Sequence, residues 1–346
     1  MRKLILLLCF LLFSVIPVCA MEAEPPEVPD SGELYMPDDT ESFGEALWYI
    51  VKTAISKISP EIAAVARMCL SITAVIFLSS ISKNIPGSSG QAIRLCSSVM
   101  LGIMLLGPSG SLIQLGAQTI SEMAEYGKLL IPVLTAALAA QGGVSSATAL
   151  YAGTTLFSSL LTGLVNIVII PLLYIYLCLC IIKASMAEKI LADITAFVKW
   201  LIIWMIKIVL YVFIGYIGVT GVVTGTADAS AVRATKLTIS GMVPIVGGII
   251  SEASETILVS AGVMKSAAGV YGVVALLAIL IGPFLKITVQ FLMFRLTGVI
   301  CAVFGSKSES ELLADFSAGM GMLLAATGTV CLLLLIGVVC MMKGMS

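Results

Sequence analysis

The sequence predicts an all-α membrane protein: a polytopic bundle of six to eight transmembrane helices, preceded by an amphipathic interfacial helix. Of its 346 residues, 59% are apolar and 11% are charged, and the mean hydropathy is +1.12. An average soluble domain carries about 25% charged residues. Apolar runs of about 20 residues, the length that crosses a hydrocarbon core as a helix, recur along the chain. Composition and run length together therefore place the chain in lipid.

The first twenty residues have the three parts of a secretory signal peptide. Arg2 and Lys3 precede an apolar stretch at 4–15, and small residues up to Ala20 form a cleavage site. An uncleaved first anchor is the alternative interpretation, although this stretch is short for a span. We predict that residues 1–20 are a signal peptide.

Residues 21–42 are predicted to be a flexible, acidic, extracytoplasmic leader. Between residues 21 and 45 the sequence has nine acidic residues, no basic ones and four prolines, so it cannot bury enough apolar surface to form a core of its own. Because the leader follows the signal peptide, we expect it outside the cytoplasm, where Lys and Arg are depleted. It is either a solvated spacer or a docking segment for a basic partner.

An amphipathic helix is predicted at 43–59. Ser42 followed by Glu45 is a capping signature, and apolar residues recur at helical spacing after it. Trp48 and Lys52 are typical of a helix that lies in the headgroup region, and packing of the apolar face against the protein's own bundle is the alternative.

Six apolar runs follow this helix. Two are too long for one simple crossing and contain Pro171 and Pro283, so each is either a single kinked helix or a pair of segments. Basic residues in the loops near 83–94 and 183–199 place these loops in the cytoplasm. The runs are 62–81, 95–115, 147–182, 196–223, 263–304 and 317–342.

The sequence resembles itself after a shift of 112 residues. This shift pairs Pro171 with Pro283, and after a ten-residue insertion it pairs residues 191–195 with 313–317. A second register, shifted by 130, pairs Glu122 and Glu125 with Glu252 and Glu255, and chance similarity among apolar residues is the alternative to both.

The repeat predicts a tandem arrangement of two membrane modules, as transporters and membrane platforms often have. The first two transmembrane helices occupy 60–117, module 1 occupies 118–225 and module 2 occupies 226–346.

The candidate functional residues are charges within the spans and one segment rich in Gly and Pro. Lys207 lies near the middle of a run and Arg67 lies early in another, while Lys286 and Arg295 interrupt a third. A charge at mid-bilayer costs about 2.5–3.5 kcal/mol on insertion scales, so it should face a partner or water. Snorkelling of these side chains to the interface is the alternative.

The Gly/Pro segment at 237–255 is predicted to be a broken helix, because irregular backbone at membrane depth must line a cavity or a protein contact. An ordinary interfacial loop is the alternative. The candidate residues in this segment are Pro244, Gly247, Gly248, Glu252 and Glu255.

Several functional classes have no support in the sequence. It contains no histidine, and its nine cysteines all lie in apolar runs, which removes His-based triads and typical metal clusters from consideration. No nucleotide-binding loop is present. We expect a protein that is not an enzyme, that holds no cofactor and no metal, and whose surroundings are the lipid bilayer and protein partners, with no nucleic acid.

In the segment 236–255, the acidic leader and the amphipathic helix before the first run, the chain resembles the stage III sporulation protein AE family of endospore-forming bacteria. The resemblance covers nearly the whole chain. It implies a multi-pass protein of the mother-cell membrane around the forespore, with its N-terminus extracytoplasmic. It also implies a secretion-like channel complex, whose other members are stage III sporulation proteins and a forespore membrane partner. That complex would feed the forespore and sustain its late gene expression. A self-sufficient secondary transporter is the alternative.

Overall fold

The computed structural model describes residues 26–37, 42–82, 89–140, 144–186, 188–219, 267–303 and 307–344. Every regular element in these ranges is helical, which confirms the predicted all-α class. The predicted signal peptide lies outside the described residues. So do Pro244, Gly247, Gly248, Glu252 and Glu255.

The described chain forms eight α-helices and one π-helical segment, Val165–Ile169, between the fourth and the fifth. In chain order they are α1 (Asp30–Glu33), α2 (Phe43–Ser82), α3 (Ser89–Ala140), α4 (Val144–Leu164), α5 (Ile170–Met186), α6 (Lys189–Val219), α7 (Ala267–Val303) and α8 (Lys307–Gly344).

Six helical runs in the described ranges are long and apolar enough to cross a membrane, so the chain is a multi-pass membrane protein. Each of the two long apolar runs, the one with Pro171 and the one with Pro283, forms one continuous helical segment. Pro283 lies inside α7, and Pro171 follows the π-helical segment that joins α4 to α5. A proline ring crowds the preceding helical turn and removes one backbone hydrogen-bond donor. The π-helical turn before Pro171 widens the helix where the proline interrupts its backbone hydrogen bonds.

α2 continues through Pro60 without a break. The predicted amphipathic helix at 43–59 and the first apolar run are therefore one element of 40 residues. Its first half remains amphipathic, since Ile50 is buried and Trp48 is exposed. Residue 117, where the first two transmembrane helices were predicted to end, lies inside α3. The division of the chain into membrane modules stays a prediction.

Hydrogen bonds between helices fix their directions. Ser98 Oγ donates to the Ala184 carbonyl at 3.3 Å and Tyr174 Oη donates to the Gly110 carbonyl at 3.3 Å, so α3 and α5 are antiparallel. The hydroxyl of Ser317 on α8 donates to the Phe291 carbonyl of α7 at 3.0 Å. We call the end of the bundle where α5 and α7 end, and α3, α6 and α8 begin, the turn end.

α8 is the central helix of the bundle. In its most apolar window 72% of the residues are buried, against 17% for α2 at the periphery. It packs against α3, α4, α5, α6 and α7. Both prolines paired by the 112-residue repeat lie in a helix that a second helix follows within a few residues of sequence, namely α5 with α6 and α7 with α8.

Residues 26–37 of the predicted leader pack on the bundle. Tyr35 is buried against Ile50 of α2 and Val274 of α7, and its ring fills the space beside Gly282, where an added Cβ would lie 2.6 Å from the Tyr35 hydroxyl. Ser31 Oγ donates to the Glu122 carboxylate of α3. The acidic composition prevents this segment from forming a core of its own. The buried Tyr35 ring and the hydrogen bond from Ser31 to Glu122 nevertheless hold it against the bundle.

Gly153 and Gly163 of α4 provide a matched test of this packing. A Cβ at Gly153 would run into the Tyr216 ring of α6, which is held by a 2.9 Å hydrogen bond to the Ala149 carbonyl. In the part of the chain that the structure describes, no atom lies within 4 Å of a Cβ at Gly163. We expect Gly153→Ala to destabilise the protein by about 1–3 kcal/mol. Gly163→Ala should be neutral or stabilising by up to about 1 kcal/mol. Thermal unfolding in detergent micelles measures both, and equal shifts would contradict this helix contact.

Candidate functional site

A partly open cavity of about 260 Å³ lies between α2, α3 and α7. Each helix contributes residues at the i, i+3, i+4 spacing of a single helical face. The lining residues are Glu61, Ala64, Val65 and Met68 from α2, Pro108, Ser111 and Leu112 from α3, and Lys286, Val289 and Gln290 from α7. We call this cavity the crevice.

An ion pair lies at the mouth of the crevice. Lys286 Nζ is 2.8 Å from Glu61 Oε1, and the two side chains are 40% and 42% exposed. Both residues are near the middle of their helices, which lie side by side. In water a half-exposed pair contributes only about 0–1 kcal/mol, because solvent screens it. Beside a lipid bilayer the screening is weaker than in bulk water, so the same contact contributes more there.

Gln290 lies deeper in the crevice and has an unused donor. Its side chain is 2% exposed, and within the described part of the chain its Nε2 has no hydrogen-bond partner. A buried polar group left unpaired costs about 1–3 kcal/mol. The amide therefore favours any occupant of the crevice that brings a hydrogen-bond acceptor.

The α3 wall of the crevice has an irregular hydrogen-bond pattern. Pro108 lies inside the helix and lacks the N–H that would bond to the preceding turn. Ser111 Oγ donates to the Gly107 carbonyl at 3.2 Å, and the neighbouring Ser109 hydroxyl is buried without a partner among the described residues. This wall is therefore more polar than the apolar sequence around it indicates.

Among the charged candidates that the structure describes, Lys286 lines the crevice, whereas Arg67, Lys207 and Arg295 do not. Arg67 is exposed on α2, and its Nε donates to the Ala63 carbonyl at 3.3 Å. Lys207 is partly buried on α6 and forms no ion pair with a described residue. Sequence reasoning missed Glu61, which directly follows Pro60 at the start of an apolar run.

Lys207 borders an exposed aromatic face of α6. Phe197, Trp200 and Trp204 stack on one another, with 5.9 Å between successive ring centroids, and each is about half exposed. Further along the same helix, no atom of the described residues lies within 4 Å of a Cβ added at Gly215 or Gly218. We call the side of α6 formed by these five residues the outer face of α6.

A cluster of polar contacts joins the helix ends at the turn end. The Ala184 carbonyl, one of the last four of α5 and so without a helical partner, accepts from Ser98 Oγ at 3.3 Å and Ser308 Oγ at 2.9 Å. Beside it Lys183 pairs with Asp315 of α8. These contacts satisfy helix-end groups and join three helices, which is a structural role.

Comparison with known proteins adds a family to this description. A family model described as stage III sporulation protein AE matches residues 36–344. The chain is 24% identical over 236 residues to the stage III sporulation protein AE of Bacillus subtilis (strain 168), an alignment that covers 68% of this chain and 59% of that protein. The match thus spans less than two thirds of that relative's length. No solved structure matches the chain.

Charge reversal tests whether Glu61 and Lys286 interact. Lys286→Glu places two carboxylates together and should lower stability, and Glu61→Lys in the same chain should restore it with the pair reversed. We expect a coupling free energy of about 1–3 kcal/mol in the double-mutant cycle. Thermal unfolding in lipid nanodiscs measures it. Additive effects of the two changes would show that the pair does not form in the membrane.

Proposed function

Because the chain belongs to the stage III sporulation protein AE family, we propose that it is a membrane subunit of the secretion or feeding channel complex that links mother cell and forespore. Late forespore gene expression and spore formation then depend on it. The family match over residues 36–344 is the observation that carries the sporulation role. In this proposal the protein is not an enzyme, and its partners are other stage III sporulation proteins and a forespore membrane partner.

The positions of the charges favour a subunit over a self-sufficient transporter. A secondary transporter gathers polar groups between its modules near the midplane. Here Arg67 and Arg295 are exposed on the outside of the bundle, and Lys207 is at the edge of an exposed face. Charges that face hydrocarbon cost several kcal/mol each. Contact with other subunits removes that cost, because a neighbouring helix supplies counter-charges or covers the basic group.

The outer face of α6 is the surface best suited to such a contact. Its stacked aromatic residues, Phe197, Trp200 and Trp204, offer large rigid area, and aromatic anchors dominate many protein interfaces. Open glycine positions on the same helix allow a second helix to approach closely. Lys207 at the edge of this face then pairs with an acidic group of the partner.

The positions of basic residues at the helix ends support one orientation of the bundle in the membrane. Lys183, Lys189 and Lys307 all lie at or next to the turn end, and basic residues favour the cytoplasmic side. The packed leader segment contacts the parts of α2 and α7 that are remote from the turn end. We therefore place the turn end in the mother-cell cytoplasm and the N-terminus in the space between the two membranes that surround the forespore.

Lys207→Leu tests the role of α6 in the complex. We expect late forespore gene expression to fall strongly while the protein's abundance stays normal, because the variant loses its charge contact without losing its fold. A late forespore promoter fused to a reporter measures the effect, and immunoblotting measures abundance. Lys189→Leu, which removes an exposed lysine at the start of the same helix, is the control. Normal reporter activity in the Lys207 variant would contradict this role.

Cysteine labelling at two glutamate positions tests the proposed orientation of the bundle in the membrane. Glu33 and Glu188 are both exposed, one on the leader and the other in the connection before α6. In a cysteine-free chain, Glu33→Cys should react with a membrane-impermeant thiol reagent from outside the mother cell's cytoplasm. Glu188→Cys should react only after the membrane is opened. The opposite pattern would reverse the proposed orientation.

A further inference from the structure

The Glu61–Lys286 pair lies about one hydrocarbon thickness from the turn end. On α2, Glu45, Lys52 and Lys57 precede Glu61, whereas residues 62–82 contain one charged residue. At 1.5 Å per residue this second half is about 31 Å long, close to the hydrocarbon thickness of about 30 Å. On α7 the 17 residues that follow Lys286, up to Val303, span about 25 Å. With the turn end at one interface, the pair therefore lies at the headgroup level of the other.

On its α2 and α7 walls the crevice is polar at one end and apolar along the rest. From the ion pair toward the turn end, α2 continues with Ala64, Val65 and Met68, and α7 with Val289. The Gln290 amide lies one turn below Lys286. From the mouth of the crevice toward the turn end, the groups on these walls are thus a pair of charges, then a hydrogen-bond donor, then apolar side chains. A phospholipid has the matching order of charged headgroup, ester carbonyls and acyl chains.

We propose that the crevice binds one phospholipid with a zwitterionic headgroup that carries a primary ammonium. The headgroup ammonium contacts the Glu61 carboxylate, and the phosphate contacts the Lys286 ammonium. An ester carbonyl of the lipid accepts a hydrogen bond from Gln290 Nε2, the buried donor without a partner in the described chain. Glu61, Lys286 and Gln290 thereby each meet a group of the opposite kind. The site lies on a different side of the molecule from Lys207 and does not rest on the proposed complex.

The dimensions of the crevice favour a lipid over a helix of another protein. A helix with its side chains is about 10 Å or more across, which a cavity of about 260 Å³ cannot admit. A lipid headgroup with the first part of a chain is slender enough to enter. α2 is also the least buried of the six spans, so the mouth of the crevice faces the lipid around the bundle.

Retention of phospholipid by the purified full-length chain tests the proposal. The probe is phosphatidylethanolamine, and native mass spectrometry of protein extracted in mild detergent counts the molecules bound. We expect one molecule per wild-type chain. Gln290→Leu and Lys286→Met should each weaken its retention about tenfold, equivalent to about 1.4 kcal/mol. Lys52→Met, on the polar half of α2, should retain the lipid as the wild type does.

Added lipid separates a binding role of Gln290 from a structural one. Removing an unpaired buried amide should leave the lipid-free protein as stable as before or more stable. Phosphatidylethanolamine should raise the unfolding temperature of the wild type but not of Gln290→Leu, and phosphatidylglycerol, which lacks the ammonium, should raise it less. Equal retention by wild type and variants would overturn the proposal. So would a photo-crosslinker at Met68 that captures polypeptide and no lipid in sporulating cells.

Discussion

The burial of α8 is the packing constraint on which the rest of the bundle depends. Five other helices pack against it, and its neighbours approach closely at small residues. Leu323 and Leu334 of α8 lie against Gly116 and Gly127 of α3, positions 11 residues apart on both helices, so the two run side by side in register. Van der Waals packing of this kind drives helix association in lipid, where no hydrophobic force acts between helices. Because α8 packs against the apolar faces of its neighbours, Arg67 and Arg295 lie on the outside of the bundle, whereas the buried Glu309 and the Lys183–Asp315 pair lie at the turn end.

This distribution of charges links the fold to the proposed function. Glu61 and Lys286 satisfy each other at the mouth of the crevice, while Arg67 and Lys207 have no ion-pair partner among the described residues. The first arrangement suits a lipid headgroup, and the second suits a neighbouring protein. A helical bundle with an apolar centre and charged outer faces is better suited to assembly than to carrying a solute through its own middle. The outer face of α6 is, in this account, where that assembly takes place.

Composition and run length were sufficient to predict the fold class and a range of six to eight spans that includes the six of the described chain, because lipid imposes the same length and apolarity on every crossing. They did not predict that α2 continues through Pro60, since a proline in the first turn after a polar segment also fits a helix start. The docking of Tyr35 beside Gly282 and the pairing of Glu61 with Lys286 were out of reach for another reason. Each joins residues more than 200 positions apart, and only the packing of the leader and of α2 on α7 brings them together.

Site-specific photo-crosslinking from the outer face of α6 in sporulating cells tests the central claim, that this chain works as one subunit among others. A photoreactive amino acid at Trp204 should yield a defined adduct with a second membrane protein of the sporulation complex. The same amino acid at Ile175, on the exposed side of α5, serves as the reference position. An adduct from Trp204 with a discrete protein partner, absent from the reference, is the predicted result. Crosslinks from Trp204 to lipid alone would contradict the account.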